Sequence, residues 1–127
     1  MKSLLLITLF LFSFINAELT HFERGVDLYS QRANESLGLK ANKKFIDQAI
    51  DQFLKAMKTP DGELEAGEYL LKCYYYKGKF VSDTNDTKKE IFSMGKSLGE
   101  RLIDRYPQSA AAYYWYLVNL GSWAEIY

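Results

Sequence analysis

The sequence lacks most of what catalysis or cross-linking would use. It has one cysteine, one histidine and two prolines in 127 residues. A single cysteine cannot close a disulfide within the chain, so packing must hold the fold. Cys73 lies in the apolar run Leu70-Leu71-Lys72-Cys73-Tyr74. There it reads as a small buried hydrophobe rather than a reactive thiol. The lone histidine, His21, has no ligand set near it in sequence and no nucleophile motif beside it, and reads as a surface residue. No glycine-rich phosphate loop and no metal-ligand spacing occurs. No catalytic residue, metal ligand or cofactor is therefore expected, and the chain does not read as an enzyme. No stretch alternates with period two for long enough to make a strand. Charge of one sign is also missing, with sixteen basic and sixteen acidic residues. That balance gives no electrostatic case for nucleic acid or an anionic membrane.

The one long apolar run is at the start. Lys2 precedes Leu4 to Ile15, which is broken only by Thr8 and Ser13. The run is short for a membrane span, and Ala17 suits cleavage, so residues 1–17 read as a secretory signal peptide. An uncleaved anchor is the alternative. No cysteine follows the run, which excludes a bacterial lipoprotein lipid on the new N-terminus. Cleavage removes Lys2 and no acid, leaving fifteen basic residues against sixteen acidic ones, a net charge of −1. The expected product is periplasmic or secreted, without membrane association. Residues 18–127 make one domain of ordinary size.

What the chain does have is helical periodicity. Thr20 and Glu23 form a capping-box pair. Phe22, Val26, Tyr29, Ala33 and Leu37 then share one helix face, up to a stop at Gly38. A second helix is expected from about Ala41 to Lys58, with Phe45, Ile46, Ala49, Ile50, Phe53, Leu54 and Met57 as its apolar stripe. Thr59-Pro60-Asp61-Gly62 is a turn. A third helix runs from about Leu64 to Lys77 and closes at Gly78. Polar residues from Val81 to Lys89 follow, with a second capping box at Thr87 and Glu90, so the fourth helix starts late and runs to Arg105. Gly95 and Gly99 on its inward face imply close approach of a neighbouring helix, because each costs up to about 1 kcal/mol in a helix interior. The fifth helix begins after Ser109 and continues to Tyr127. The expected fold is all-α, with antiparallel neighbours.

From Gly67 to Tyr127 the pattern keeps time with a tetratricopeptide (TPR) repeat of about 34 residues. Gly78 stands at the inter-helix glycine, and Leu70, Leu71 and Tyr74 at the inward positions. Phe80 stands at the turn aromatic and Pro107 at the repeat's close. Tyr113, Tyr116, Leu117 and Leu120 occupy the same phases in the next helix. The expected architecture is a TPR-like right-handed array of helix–turn–helix units. Such arrays bind partners far more often than they catalyse. The last helix, apolar from Tyr113 to Trp123, lacks the polar capping face of a terminal repeat. The expectation is that the protein or its assembly extends beyond Tyr127.

Three segments carry a closer likeness. They are Glu65-Ala-Gly-Glu-Tyr-Leu-Leu-Lys-Cys-Tyr-Tyr-Tyr-Lys-Gly-Lys-Phe80, Gly95-Lys-Ser-Leu-Gly-Glu-Arg-Leu-Ile-Asp-Arg-Tyr-Pro107 and Ala110-Ala-Ala-Tyr-Tyr-Trp-Tyr-Leu-Val-Asn-Leu-Gly-Ser-Trp123. With these the chain resembles the TPR-like T component of tripartite ATP-independent periplasmic (TRAP) transporter systems. The resemblance implies a periplasmic helical protein that partners a solute-binding protein, with an apolar pocket or pore as a further feature of such proteins. A general envelope scaffold and a carrier of an apolar small molecule stand as alternatives, and homo-oligomerisation is left open.

The tyrosine runs Tyr74–Tyr76 and Tyr113–Tyr116 each exceed one helix face, since successive residues turn by about 100°. Tyr74, Tyr113 and Tyr116 fit the core. Tyr75 and Tyr114 then point to the concave surface with Glu65, Glu68 and Lys72, and these five are the candidate binding residues. Ordinary packing between helices is the competing reading. The carboxylates Glu63, Glu65 and Glu68 read as complements to a helix dipole rather than an acid–base pair.

Overall fold

The computed structural model describes residues 18–126. The expected signal peptide, its cleavage after Ala17, and Tyr127 lie outside the described residues. Within them the chain is all-α: α1 (His21–Ser30), α2 (Lys43–Ala56), α3 (Glu63–Tyr76), α4 (Asn85–Arg105) and α5 (Ala110–Ala124), with a π-helical turn at Lys77–Val81. None of these helices is long and apolar enough to cross a membrane.

Sequential helices run antiparallel. Near the start of α1, His21 Nδ1 meets Gln52 Oε1 near the end of α2 at 2.8 Å. Asp47, early in α2, pairs with Lys77 beyond the end of α3 at 2.7 Å. Glu63 at the start of α3 holds Arg105 at the end of α4 at 2.8 Å. Along α4 and α5, Gly99 faces Tyr116 while the earlier Gly95 faces the later Asn119, and Lys96 lies 4.8 Å from the ring of Trp123. The odd-numbered helices therefore run the same way. They also touch: Phe22 and Tyr29 of α1 each set an edge against Tyr69 of α3, and Tyr75 of α3 reaches Trp115 of α5.

Local chemistry fixes the helix ends. Thr20 and Glu23 form the expected capping box, with Thr20 Oγ1 accepting from the Glu23 N–H and Glu23 Oε2 from the Thr20 N–H. Asn42 caps α2 and Ser109 caps α5, each worth about 1 kcal/mol. The core runs through all the later helices: Ile46, Ala49 and Phe53; Ala66, Leu70, Leu71, Cys73 and Tyr74; Leu98 and Leu102; and Ala112. Full burial of one large apolar side chain contributes about 1.5–3 kcal/mol. Glycines set the close approaches. Gly99 lies under Tyr116, Gly95 under Asn119 and Gly67 under Leu102.

Several expectations need correction. The first helix stops at Ser30 rather than near Leu37. Gln31, Arg32 and Asn34 make tight i→i+3 bonds, Ser30 Oγ donates to the Asp27 carbonyl, and Glu35 takes φ 59°. Ser and Asn offer the backbone such local partners and so end helices. Ala33 and Leu37 are consequently exposed. Leu54, expected in the apolar stripe of α2, is also exposed. The α4 capping box is Thr84 with Thr87 instead of Thr87 with Glu90, so the helix begins earlier, at Asn85. Gly78 does not close α3. It sits in the π turn, where the ring of Phe92 fills the space a side chain would take. The fifth helix ends at Ala124.

Candidate functional site

Helix α3 is flanked by α1 on one side and α5 on the other, and its outward stripe lies between them. That stripe is Glu65, Glu68, Tyr69, Lys72, Tyr75 and Tyr76, at spacings of three and four. Lys72 is its midpoint. Its ammonium lies 4.3 Å from the Tyr69 ring centroid and 5.8 Å from that of Trp115 on α5. Tyr69 stacks on Phe53 at 5.0 Å, so the core below holds it rigid. Trp115 is flanked by Tyr75 at 6.0 Å and by Tyr114 edge-on at 5.2 Å.

A second cation repeats the arrangement toward α1. The Arg32 guanidinium lies 4.2 Å from the Tyr29 centroid and 5.3 Å from that of Tyr76. Arg32 Nη1 donates to the Tyr29 carbonyl at 2.9 Å, and the Tyr76 hydroxyl donates to the Arg32 carbonyl at 3.1 Å. The result is a ridge of aromatic rings from Tyr29 to Tyr114 with Arg32 and Lys72 set among them. Each cation–ring contact contributes about 0.5–1 kcal/mol where water reaches it. Burial pushes up the Tyr29 hydroxyl pKa, and Arg32 partly offsets it. Beneath the ridge, burial pushes the Cys73 thiol well above its ordinary value despite Arg32 and Lys72 nearby. Cys73 is thus a protonated core residue at neutral pH.

The five sequence-derived candidates separate. Lys72, Tyr75 and Tyr114 meet at Trp115. Tyr114 is 62% exposed, while Tyr75 is half-buried and also packs 6.5 Å from Phe92. Glu68 instead accepts a 2.6 Å hydrogen bond from Ser109, whose hydroxyl also caps α5. Glu65 is exposed and lines an open hollow of about 510 Å³ with His21, Phe22 and Ala56. Glu63 bonds Arg105 and Tyr106. Each of the three acids thus has its own surroundings, and they do not form a pair.

Tyr113 is a correction. It was expected in the core and is 42% exposed, with Leu117 at 59%. The inward face of α5 is Ala112, Trp115, Tyr116 and Asn119, because α3 and α4 both lie on one side of the helix. Tyr74 is buried as expected. Tyr116 is half-buried over Gly99, with its hydroxyl 3.4 Å from Glu100.

Sequence reading missed Tyr69, Trp115, Arg32 and Tyr76 as members of the ridge. Tyr69 was legible in principle, three residues before Lys72 on the same face. Trp115 was not, since only the packing of α5 beside α3 brings it there. Among the described residues, no group of three or more His, Cys, Asp or Glu side chains could hold a metal ion. Comparison with known proteins finds no matching family model, no matching curated protein and no matching solved structure.

Proposed function

We propose that this chain is a TPR-like, non-enzymatic binding module of the periplasm that serves a TRAP-type uptake system by holding a solute-binding protein on the α1/α3/α5 face. The observation that carries the reading is the aromatic ridge from Tyr29 to Tyr114 with Arg32 and Lys72 among its rings. Tyrosine and tryptophan give large contact area at little entropic cost, and with arginine they dominate binding hot spots. The same-direction run of α1, α3 and α5 supports the repeat reading, since first helices of such repeats line the binding surface. The lack of nucleophile motifs supports a non-enzymatic role. The transport connection rests on the resemblance of the Ala110–Trp123 segment.

The test is affinity capture from an envelope extract with wild type beside Tyr114→Ala and Lys72→Ala. Recovery of a solute-binding protein by wild type, and its loss with both variants, is the expected result. Recovery of outer-membrane assembly factors alone would replace the transport reading with a general envelope scaffold. Undiminished capture by both variants would move the binding face elsewhere.

A further inference from the structure

Glycines inside the helices of this chain follow a rule, with one exception. A methyl placed on Gly25 would meet the Phe53 ring at 2.7 Å; on Gly67, Leu102 at 2.8 Å; on Gly78, Phe92 at 2.5 Å; and on Gly99, Tyr116 at 2.7 Å. Gly95 lies equally close to Asn119. Each of these glycines is a seat for one side chain of a neighbouring helix. Gly121 breaks the rule: it lies within α5, is exposed, and has nothing within 4 Å of where its Cβ would be. A glycine in a helix interior costs about 1 kcal/mol relative to alanine. Nothing within the described residues offsets that cost at Gly121.

Gly121 lies on the bare side of α5. Leu117, opposite the buried Asn119, is the centre of that side, and Tyr113, Tyr114, Leu120 and Ala124 surround it. The large residue Tyr113 stands four positions before Leu117, and the empty seat Gly121 stands four positions after it. This spacing is self-complementary. If two such helices cross antiparallel at Leu117, position 117 − k of one comes level with 117 + k of the other. Tyr113 then comes level with Gly121 of the second copy, and Ala110 with Ala124. A two-fold interface needs this matching of one patch to itself. Charge does not oppose this occupant. The segment Ala110–Ala124 carries no charged residue. A two-fold axis brings like groups together, and an uncharged face avoids the like-charge penalty that would follow.

We propose that α5 is a self-association surface, pairing antiparallel with α5 of a second copy about a two-fold axis beside Leu117, with Tyr113 seated at Gly121. This surface borders the ridge at Tyr114, three positions before Leu117 on the same exposed side of α5, whereas Lys72 on α3 lies outside it, so Lys72→Ala separates partner binding from self-association.

Sedimentation velocity of the full chain over a wide concentration range tests it. The wild type should pass from monomer to dimer. Gly121→Leu should keep its helical circular dichroism, because its side chain enters open space in the monomer, and should weaken self-association by about tenfold or more. Leu117→Glu should remain monomeric. A second readout does not depend on affinity. In a Cys73→Ala background, Leu117→Cys should form a disulfide-linked dimer under mild oxidation, because residues beside a two-fold axis fall within disulfide reach. Asp86→Cys, exposed in the first turn of α4, should not. A wild type that stays monomeric without the Leu117→Cys cross-link overturns the proposal, and leaves the face to a different protein. A dimer that persists in both Gly121→Leu and Leu117→Glu also overturns it, by placing the contact elsewhere.

Discussion

Gly95→Ala should be among the most damaging single-methyl changes in this protein, although alanine is the better helix former. By propensity alone the substitution at this α4 position gains about 1 kcal/mol. The neighbour decides otherwise. The new methyl would fall on Asn119 Oδ1 and Cγ, well inside contact distance, and 3.0 Å from its Cβ. Asn119 is fully buried, and its Nδ2 donates to the Leu71 carbonyl at 3.1 Å and the Trp115 carbonyl at 2.9 Å. It cannot swing away without losing both bonds, at about 1 kcal/mol each. Overpacking adds about 1–3 kcal/mol. After the propensity gain, the net destabilisation is about 2–4 kcal/mol. Urea unfolding should show it as a lower midpoint at unchanged slope. The causal step can be isolated in a double-mutant cycle. Asn119→Ala removes the two closest atoms, so Gly95→Ala should cost clearly less in that background. A midpoint at or above wild type for Gly95→Ala, or strict additivity in the cycle, would refute the argument that a rigid buried amide makes glycine necessary here.

Stability should fall at alkaline pH. Burial raises the pKa of Cys73 above its ordinary 9.0 and those of Tyr29 and Tyr74 above 10.0. The folded state then keeps protons that the unfolded state releases, so stability is fully present below pH 9 and drains above it, by at most about 1.4 kcal/mol per pH unit for each group. Thermal melts should record this, and Cys73→Ala should remove the part that begins near pH 9 while leaving the tyrosine part above pH 10. A flat profile between pH 9 and 11 would contradict the burial. Tyr74→Ala should cost about 3–5 kcal/mol of folding stability, whereas Tyr114→Ala should stay within about 0.5 kcal/mol; equal losses in thermal melts would mean that Tyr114 is core rather than surface. Ser109→Ala removes the α5 cap and the Glu68 hydrogen bond together, and should lower stability by about 1–2 kcal/mol in the same urea assay, with no loss expected if solvent replaces both bonds.

The sequence by itself determined the helices and most of their inward residues. Periodicity and caps are properties of neighbouring positions, so Thr20 with Glu23, the stripe Ile46-Ala49-Phe53 and the group Leu70-Leu71-Tyr74 could be read directly. Gly95 and Gly99 announced a close helix for the same reason, since a glycine that weakens its own helix needs a neighbour to justify it. Tertiary structure decided which faces are covered. Tyr113 and Leu117 have the periodicity of core residues, yet they are bare because α3 and α4 both pack on the other side of α5. Leu37 is exposed because the i→i+3 turns after Ser30 end the helix before it, and the positive φ at Glu35 keeps it from resuming. The ridge was half legible. Lys72 and Tyr75 lie on one stripe of one helix, but Arg32 and Trp115 join them only through the approach of α1 and α5 to α3. A sequence records which side chains share a helix face; which faces meet depends on crossings that residues far apart in the chain settle together.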